Sequence, residues 1–289
     1  MARNTEVVEA MVENRDLNND DIQDNLPFDR RRKREQEEVS TKSSNRKKKA
    51  RRRITDEGIF DEELGVNTAI GQMDSQLLID HVAQRTKKFE PRMSSVEMED
   101  RYIPARAILD TTSWGRPRTT ENLPAFLEHF GGKNLSTAPE AKGSPHTLVV
   151  VGAGLRAADL TRKLREFQTK DSLIAKLFAK HIKLKEAIEF CRKYRCVLLP
   201  EVEMILADST IRINIGVGTP QRIHDLLDEG ALSAKNLKTI IVDASYVDQK
   251  KRGILDMRET QLPLVKLLSR PEFKERYEAE SERLQLLFY

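Results

Sequence analysis

The sequence predicts an α/β fold, a single parallel sheet flanked by helices, carried behind a disordered and highly charged N-terminal tail. From Thr147 onward, short apolar runs alternate with helical patterns, the arrangement that right-handed crossovers turn into a parallel sheet. One of those runs, Leu148-Val149-Val150-Val151, is continuously apolar, as in a strand covered on both faces. Charged residues make up 33% of the 289 residues and hydrophobic ones only 38%, so part of the chain is expected to stay unfolded.

The unfolded part is read as residues 1–72. Residues 1–29 carry eight acids against two basic residues. Two basic clusters follow, Arg30, Arg31, Arg32, Lys33 and Arg34, then Arg46, Lys47, Lys48, Lys49, Arg51, Arg52 and Arg53. A second acidic patch lies at Asp56, Glu57, Asp61, Glu62 and Glu63. Alternating charge blocks bury too little apolar surface to offset the entropy of ordering them. Two basic clusters across a polar spacer fit a bipartite nuclear import signal and a nucleic-acid patch at once.

The folded part is expected over 73–289. Asp74 caps a helix with Leu77, Leu78, His81 and Val82 on one face. An irregular wrap through Pro91, Pro104 and Pro117 contains the only tryptophan, Trp114. Leu123 to Phe130 reads as a helix stopped by Gly131-Gly132, and residues 133–146 as a polar loop. After the Leu148 strand comes a helix through Leu155, Leu160, Leu164 and Phe167. A strand over Leu173–Phe178 leads to a helix from Lys183 to about Arg195. Ile211–Ile215 is a strand, Pro220 opens a helix through Ile223, Leu226 and Leu227, and Thr239–Val242 is the fourth strand. Helices over Met257–Leu268 and Glu272–Leu287 complete the pattern.

Several classes are excluded or disfavoured. The N-terminus lacks the apolar core of a signal peptide, and no stretch approaches the roughly 18 apolar residues of a membrane span, so no membrane partner is expected. Cys191 and Cys196 sit on one predicted helix at a spacing that suits neither zinc nor a redox pair; reduced thiols are expected. No phosphate-binding Gly-x-x-x-x-Gly-Lys-Ser/Thr loop occurs. Gly152-Ala153-Gly154-Leu155-Arg156-Ala157 matches a dinucleotide fingerprint, but the next strand ends at Phe178-Ala179-Lys180 without the acid that would hold a ribose, which argues against that use. No cofactor or metal is expected.

Ligands of parallel sheets bind at the carboxyl ends of the strands. Gly152-Ala153-Gly154-Leu155-Arg156, Leu177 to Lys183, Gly216 to Arg222, and Asp243 all fall there. Gly218-Thr219-Pro220-Gln221-Arg222-Ile223 resembles the Thr-Pro-Gly-Arg motif of DEAD-box RNA helicases. Leu155 to Leu160 stands where their Pro-Thr-Arg-Glu-Leu motif would be, and Ile241-Val242-Asp243-Ala244-Ser245-Tyr246 where Val-Leu-Asp-Glu-Ala-Asp would be. The resemblance implies a single degenerate RecA-like (P-loop-NTPase-like) domain, similar to the first helicase domain. Within that superfamily, Leu177 to Lys183, Gly216 to Pro220 and Asp243 with Asp248-Gln249-Lys250 resemble the CMS/CMSS family, degenerate helicase-like subunits of the early 90S pre-ribosome. That resemblance covers roughly residues 74–289. It implies a nucleolar protein in the small-subunit processome, with pre-rRNA, the U3 small nucleolar ribonucleoprotein and processome proteins as partners in 18S rRNA maturation.

On this reading there is no catalytic residue. Asp243 is a vestige of an ATP site whose neighbouring acid is Ala244, and Trp114 to Thr120 takes the place of the phosphate loop. Losing a positioned base alone costs about 10²–10⁴-fold in rate. The RNA-contacting set is Arg156, Lys180, His181, Lys183, Gly218, Thr219 and Arg222, cations and helix-terminal groups that position a backbone without reading bases. Two alternatives stay open: a protein-docking scaffold in the same particle with a vestigial RNA face, and an ATP-dependent helicase with an unusual phosphate site.

Overall fold

The computed structural model describes residues 60–132, 134–141, 143–178, 184–193 and 212–289. The two basic clusters, the Lys180-His181-Lys183 group and Cys196 lie outside the described residues.

Among the described residues secondary structure begins at Phe60, inside the stretch assigned to the tail. Strand β1 (Phe60–Asp61) pairs antiparallel with β2 (Val66–Asn67), and helix α1 (Thr68–Gln72) follows. Composition hid this because the acids Asp61, Glu62 and Glu63 surround only a few apolar groups. Those few are well used: Val66 and Ile70 are buried, and the Asn67 amide donates to the Ser245 carbonyl at 2.6 Å. Gly65, at φ +63°, makes the turn between the strands, where a side chain would strain the backbone.

Helix α2 (Ser75–Phe89) is capped as its sequence implies, with the Asp74 carboxylate accepting from the Leu77 amide at 2.8 Å. Leu78, Ile79 and Val82 are its buried stripe, whereas Leu77 is exposed. The wrap that follows is more ordered than expected. It holds α3 (Ser95–Asp100), started by a reciprocal Ser94–Glu97 capping box. Farther on, the Leu109 amide donates to the Leu286 carbonyl at 2.8 Å. Helix α4 (Leu123–Phe130) has Pro124 in its first turn and buries Leu123, Phe126 and Leu127.

Among the described residues five strands build the sheet: β3 (Thr147–Val150), β4 (Ser172–Leu177), β5 (Arg212–Gly218), β6 (Thr239–Val242) and β7 (Gln285–Phe288). They lie in the order β4-β5-β3-β6-β7 and every pairing is parallel. Between them run α5 (Gly154–Leu164), α6 (Leu184–Lys193), α7 (Pro220–Asp228), α8 (Arg258–Leu268) and α9 (Pro271–Glu278). The expected α/β architecture, a parallel sheet flanked by helices, is therefore present.

Successive strand residues face opposite cores, which is why these strands are apolar throughout. Leu148, Val150, Ile240, Val242, Leu286 and Phe288 pack with the buried stripes of α2, α6, α7, α8 and α9. Val149, Val151, Ile215, Val217, Ile241 and Leu287 pack with α4 and α5.

The C-terminal helix expected over Glu272–Leu287 is instead α9 followed by strand β7. Phe273 and Tyr277 give α9 its inward pair. The run Leu284-Gln285-Leu286-Leu287-Phe288 supplies both cores at once, and a short apolar run does not disclose its period. Cys191 is buried in the first core, and burial pushes its thiol up to about 12, as expected of a reduced structural cysteine.

Candidate functional site at the carboxyl edge

The sheet register sets the site. Leu177 pairs with Gly218, Gly218 with Val150, Val150 with Val242, and Val242 with Phe288, so the carboxyl ends of all five strands align. The segments singled out in the sequence therefore leave the sheet along one edge.

Arg156, on the first turn of α5, does not project from that edge. Its guanidinium grips Asp243 in a bidentate pair, Nε to Oδ2 at 2.7 Å and Nη2 to Oδ1 at 3.1 Å. The Arg156 and Asp243 side chains are 7% and 1% exposed. Nη1 donates to the Thr120 hydroxyl, and the guanidinium carbon lies 4.3 Å from the centroid of the Tyr246 ring. Burial alone would lower the Arg156 pKa, but the Asp243 carboxylate outweighs it and the net direction is upward. The cation expected to contact RNA and the acid expected to be an ATP-site vestige thus neutralise each other.

The loop between Asp110 and Thr120 is fastened to the same edge. Buried Arg118 donates to the Phe288 carbonyl, to the Thr111 carbonyl at 3.0 Å and to the Thr111 hydroxyl at 2.9 Å. Its guanidinium lies over Phe126 at 5.6 Å, and burial lowers its pKa to about 10, so it keeps its charge at neutral pH. The Tyr289 hydroxyl donates to the Thr119 carbonyl at 2.6 Å, and the Tyr289 carbonyl accepts from the amides of Ala244 and Ser245, both at 2.7 Å. Side chains and carbonyls, rather than a cradle of glycine amides, close this corner.

The glycines on β5 are explained by packing within the sheet. A Cβ on Gly218 would lie 2.1 Å from the Leu177 carbonyl oxygen, and one on Gly216 would lie 2.8 Å from both Leu148 and Leu177 side-chain carbons. The close approach that these glycines permit is to Leu177 of β4 and Leu148 of β3. The Thr219 amide is likewise engaged, donating to the Leu177 carbonyl at 3.3 Å. Half-buried Thr219 is the N-cap of α7, and its side chain makes no capping bond. Half-buried Arg222 follows on the first turn of α7. Arg118, Thr120, Tyr246 and Tyr289 were not legible as site residues, because nothing in their spacing shows that they meet Arg156, Asp243 or the edge carbonyls.

Among the described residues no group of three or more His, Cys, Asp or Glu is placed to hold a metal, and no helix is long and apolar enough to cross a membrane.

A family model described as "CMS1: U3-containing 90S pre-ribosomal complex subunit" matches residues 26–289. The chain belongs to this family. Among its relatives, protein CMS1 of Chaetomium thermophilum is 52% identical over 236 residues, which cover 81% of this chain and 87% of that protein. Protein cms1 of Schizosaccharomyces pombe is 32% identical over 177 residues, 61% of this chain and 57% of that protein. Human protein CMSS1 is 27% identical over 182 residues, 62% of this chain and 57% of that protein. Residues 26–59, which carry both basic clusters, fall inside the family match.

Proposed function

We propose that this chain is a non-catalytic RNA- and ribonucleoprotein-binding assembly factor of the 90S pre-ribosome, acting in 18S rRNA maturation as a pseudo-helicase with a single RecA-like domain. The family description supports the particle; the buried Arg156–Asp243 pair carries the non-catalytic part. A phosphoryl-transfer site needs a free acid to manage magnesium and water, and a backbone cradle for the phosphates. Here the acid is held by an arginine within the fold, and the loop at the corresponding corner is tied down through Arg118 and Tyr289. The reading predicts no ATP turnover above a mock preparation, with or without RNA. RNA-stimulated hydrolysis abolished by Asp243→Ala would overturn it.

On this reading Arg156 is a positioning residue rather than a phosphate contact. The RNA face then comprises Arg222, Gly218 and Thr219, with Lys180, His181 and Lys183 on the segment after β4. Arg222, Lys180 and Lys183, each near a phosphate, imply a slope of log affinity on log salt of roughly −2, at about −0.7 per contact on single strands. The measurement uses the full chain with both basic clusters changed to alanine, so that the tail does not mask the domain. The same variant, followed by microscopy, tests nuclear entry and nucleolar retention, which the clusters Arg30–Arg34 and Arg46–Arg53 are proposed to drive. Pre-rRNA, the U3 ribonucleoprotein and processome proteins are the proposed partners.

A second reading is favoured by one observation, the withdrawal of Arg156 and of the Thr219 amide into internal bonds. It makes the domain a protein-docking scaffold in the same particle. If the cluster-neutralised chain binds no single-stranded RNA at low salt, the scaffold reading replaces the first.

A further inference from the structure

The loop that crosses the carboxyl edge also carries an aromatic and cationic surface that the proposed RNA face does not use. Trp114 is half-buried against the outer side of α4. It meets Phe126 edge-on at 5.5 Å and 89°, Phe130 at 6.2 Å and 63°, and His129 at 5.9 Å and 48°. His129 is exposed and Phe130 half-buried, and their rings lie 4.5 Å apart, near perpendicular. Exposed Arg116 holds its guanidinium over the indole at 5.6 Å. Because the group above the ring reaches solvent, that face of Trp114 is the outward one. The indole Nε1–H is buried and has no acceptor among the described residues, an unusual state for a polar group.

We propose that Trp114, His129 and Arg116 form a stacking platform for an unpaired base of single-stranded RNA. The base takes the place of the Arg116 guanidinium over the indole, and Arg116 turns to the adjoining phosphate. Flat π faces beside one exposed cation match what a splayed base and its phosphate need. Exposed cation–π contacts are weak, so exchanging one for a stacked base is favourable. Arg118, Thr119 and Thr120 of the same loop bond to groups at the carboxyl edge, so the platform lies on a loop fastened to that edge. This inference rests on the reading that the folded part meets RNA, and it adds the class of ligand, a base that is not paired.

Trp114 is the sole tryptophan, so its fluorescence in the full chain reports this surface alone, even while the tail binds RNA elsewhere. Titration with a single-stranded oligouridine of about ten nucleotides, a length within the range of single-strand sites, is expected to quench it. A duplex RNA of equal length is expected to leave it unchanged. Arg116→Ala and His129→Ala alter exposed side chains, so thermal unfolding is expected to stay at the parent value. Each should nonetheless weaken the quench-detected affinity by on the order of tenfold. Fluorescence anisotropy of a labelled oligouridine runs in parallel on the chain with both basic clusters changed to alanine, so that it reports the folded part. Binding by anisotropy with unchanged tryptophan fluorescence overturns the platform and leaves the RNA reading standing. Equal quenching by duplex, or parental affinity in both variants, also overturns it. Absence of binding by either signal removes the platform and the RNA reading together.

Discussion

Asp243→Ala should act on the fold rather than on any reaction. The substitution removes both acceptors of a bidentate pair and leaves the Arg156 guanidinium buried, with the Thr120 hydroxyl and the Tyr246 ring as its remaining partners. Breaking a buried pair from one side costs about 3–5 kcal/mol, because the surviving charge stays desolvated. For a domain of this size that corresponds to a fall in Tm of about 6–20 °C. Arg156→Met strands the carboxylate and should cost a similar amount. Combining Arg156→Met with Asp243→Leu removes both charges together and should recover most of the loss, since an apolar pair of similar volume is often neutral or better. Urea unfolding of the parent, Arg156→Met, Asp243→Leu and the double variant, compared by midpoint at equal m, gives the coupling directly. If Asp243→Ala unfolds within about 0.5 kcal/mol of the parent, or if the two single losses simply add, the pair does not brace the edge and the argument from it fails.

Gly218→Ala should destabilise by at least the 1–3 kcal/mol typical of an overpacked site, because its Cβ would fall 2.1 Å from a backbone carbonyl that cannot swing aside; the urea midpoint checks this. Stability should fall as pH drops below about 6.5, the ordinary histidine value. Burial lowers the pKa of His146 and of His81, so the unfolded chain takes up protons first; the contribution is present above the unfolded value and is lost as pH falls through the folded one. His146→Asn should flatten the decline of Tm between neutral and mildly acidic buffer. In a Cys196→Ser background, Cys191 should resist alkylation at neutral pH until denaturant is added. Its raised thiol pKa also means that stability falls with rising pH above the unfolded thiol value, measurable as the Tm of that background against its Cys191→Ala derivative.

The architecture was largely readable along the chain. The fully apolar run at Leu148 is what a strand covered on two faces requires, and Asp74 and Pro220 start helices where local backbone chemistry says they should. The two misreadings share a cause. The strand at Gln285–Phe288 and the segment at Val66–Ile70 are ordered by what they pack against, and short windows hold neither a clear period nor a favourable composition.

The segments of the site could likewise be assigned to one edge, because a parallel sheet sends every strand's carboxyl end the same way. Sequence alone determined the charged clusters, the missing phosphate loop, the sheet and that edge. Only the tertiary structure decided which groups there remain available. Arg156 and Asp243 are distant along the chain and become partners because β3 and β6 are neighbours in register, which places the first turn of α5 beside the end of β6. The same register brings the Leu177 carbonyl against Gly218, making a glycine read as ligand-facing a requirement of the sheet itself. A side chain's type is local, but its partner is chosen by packing, and at this edge packing turned a cation and an acid inward on each other.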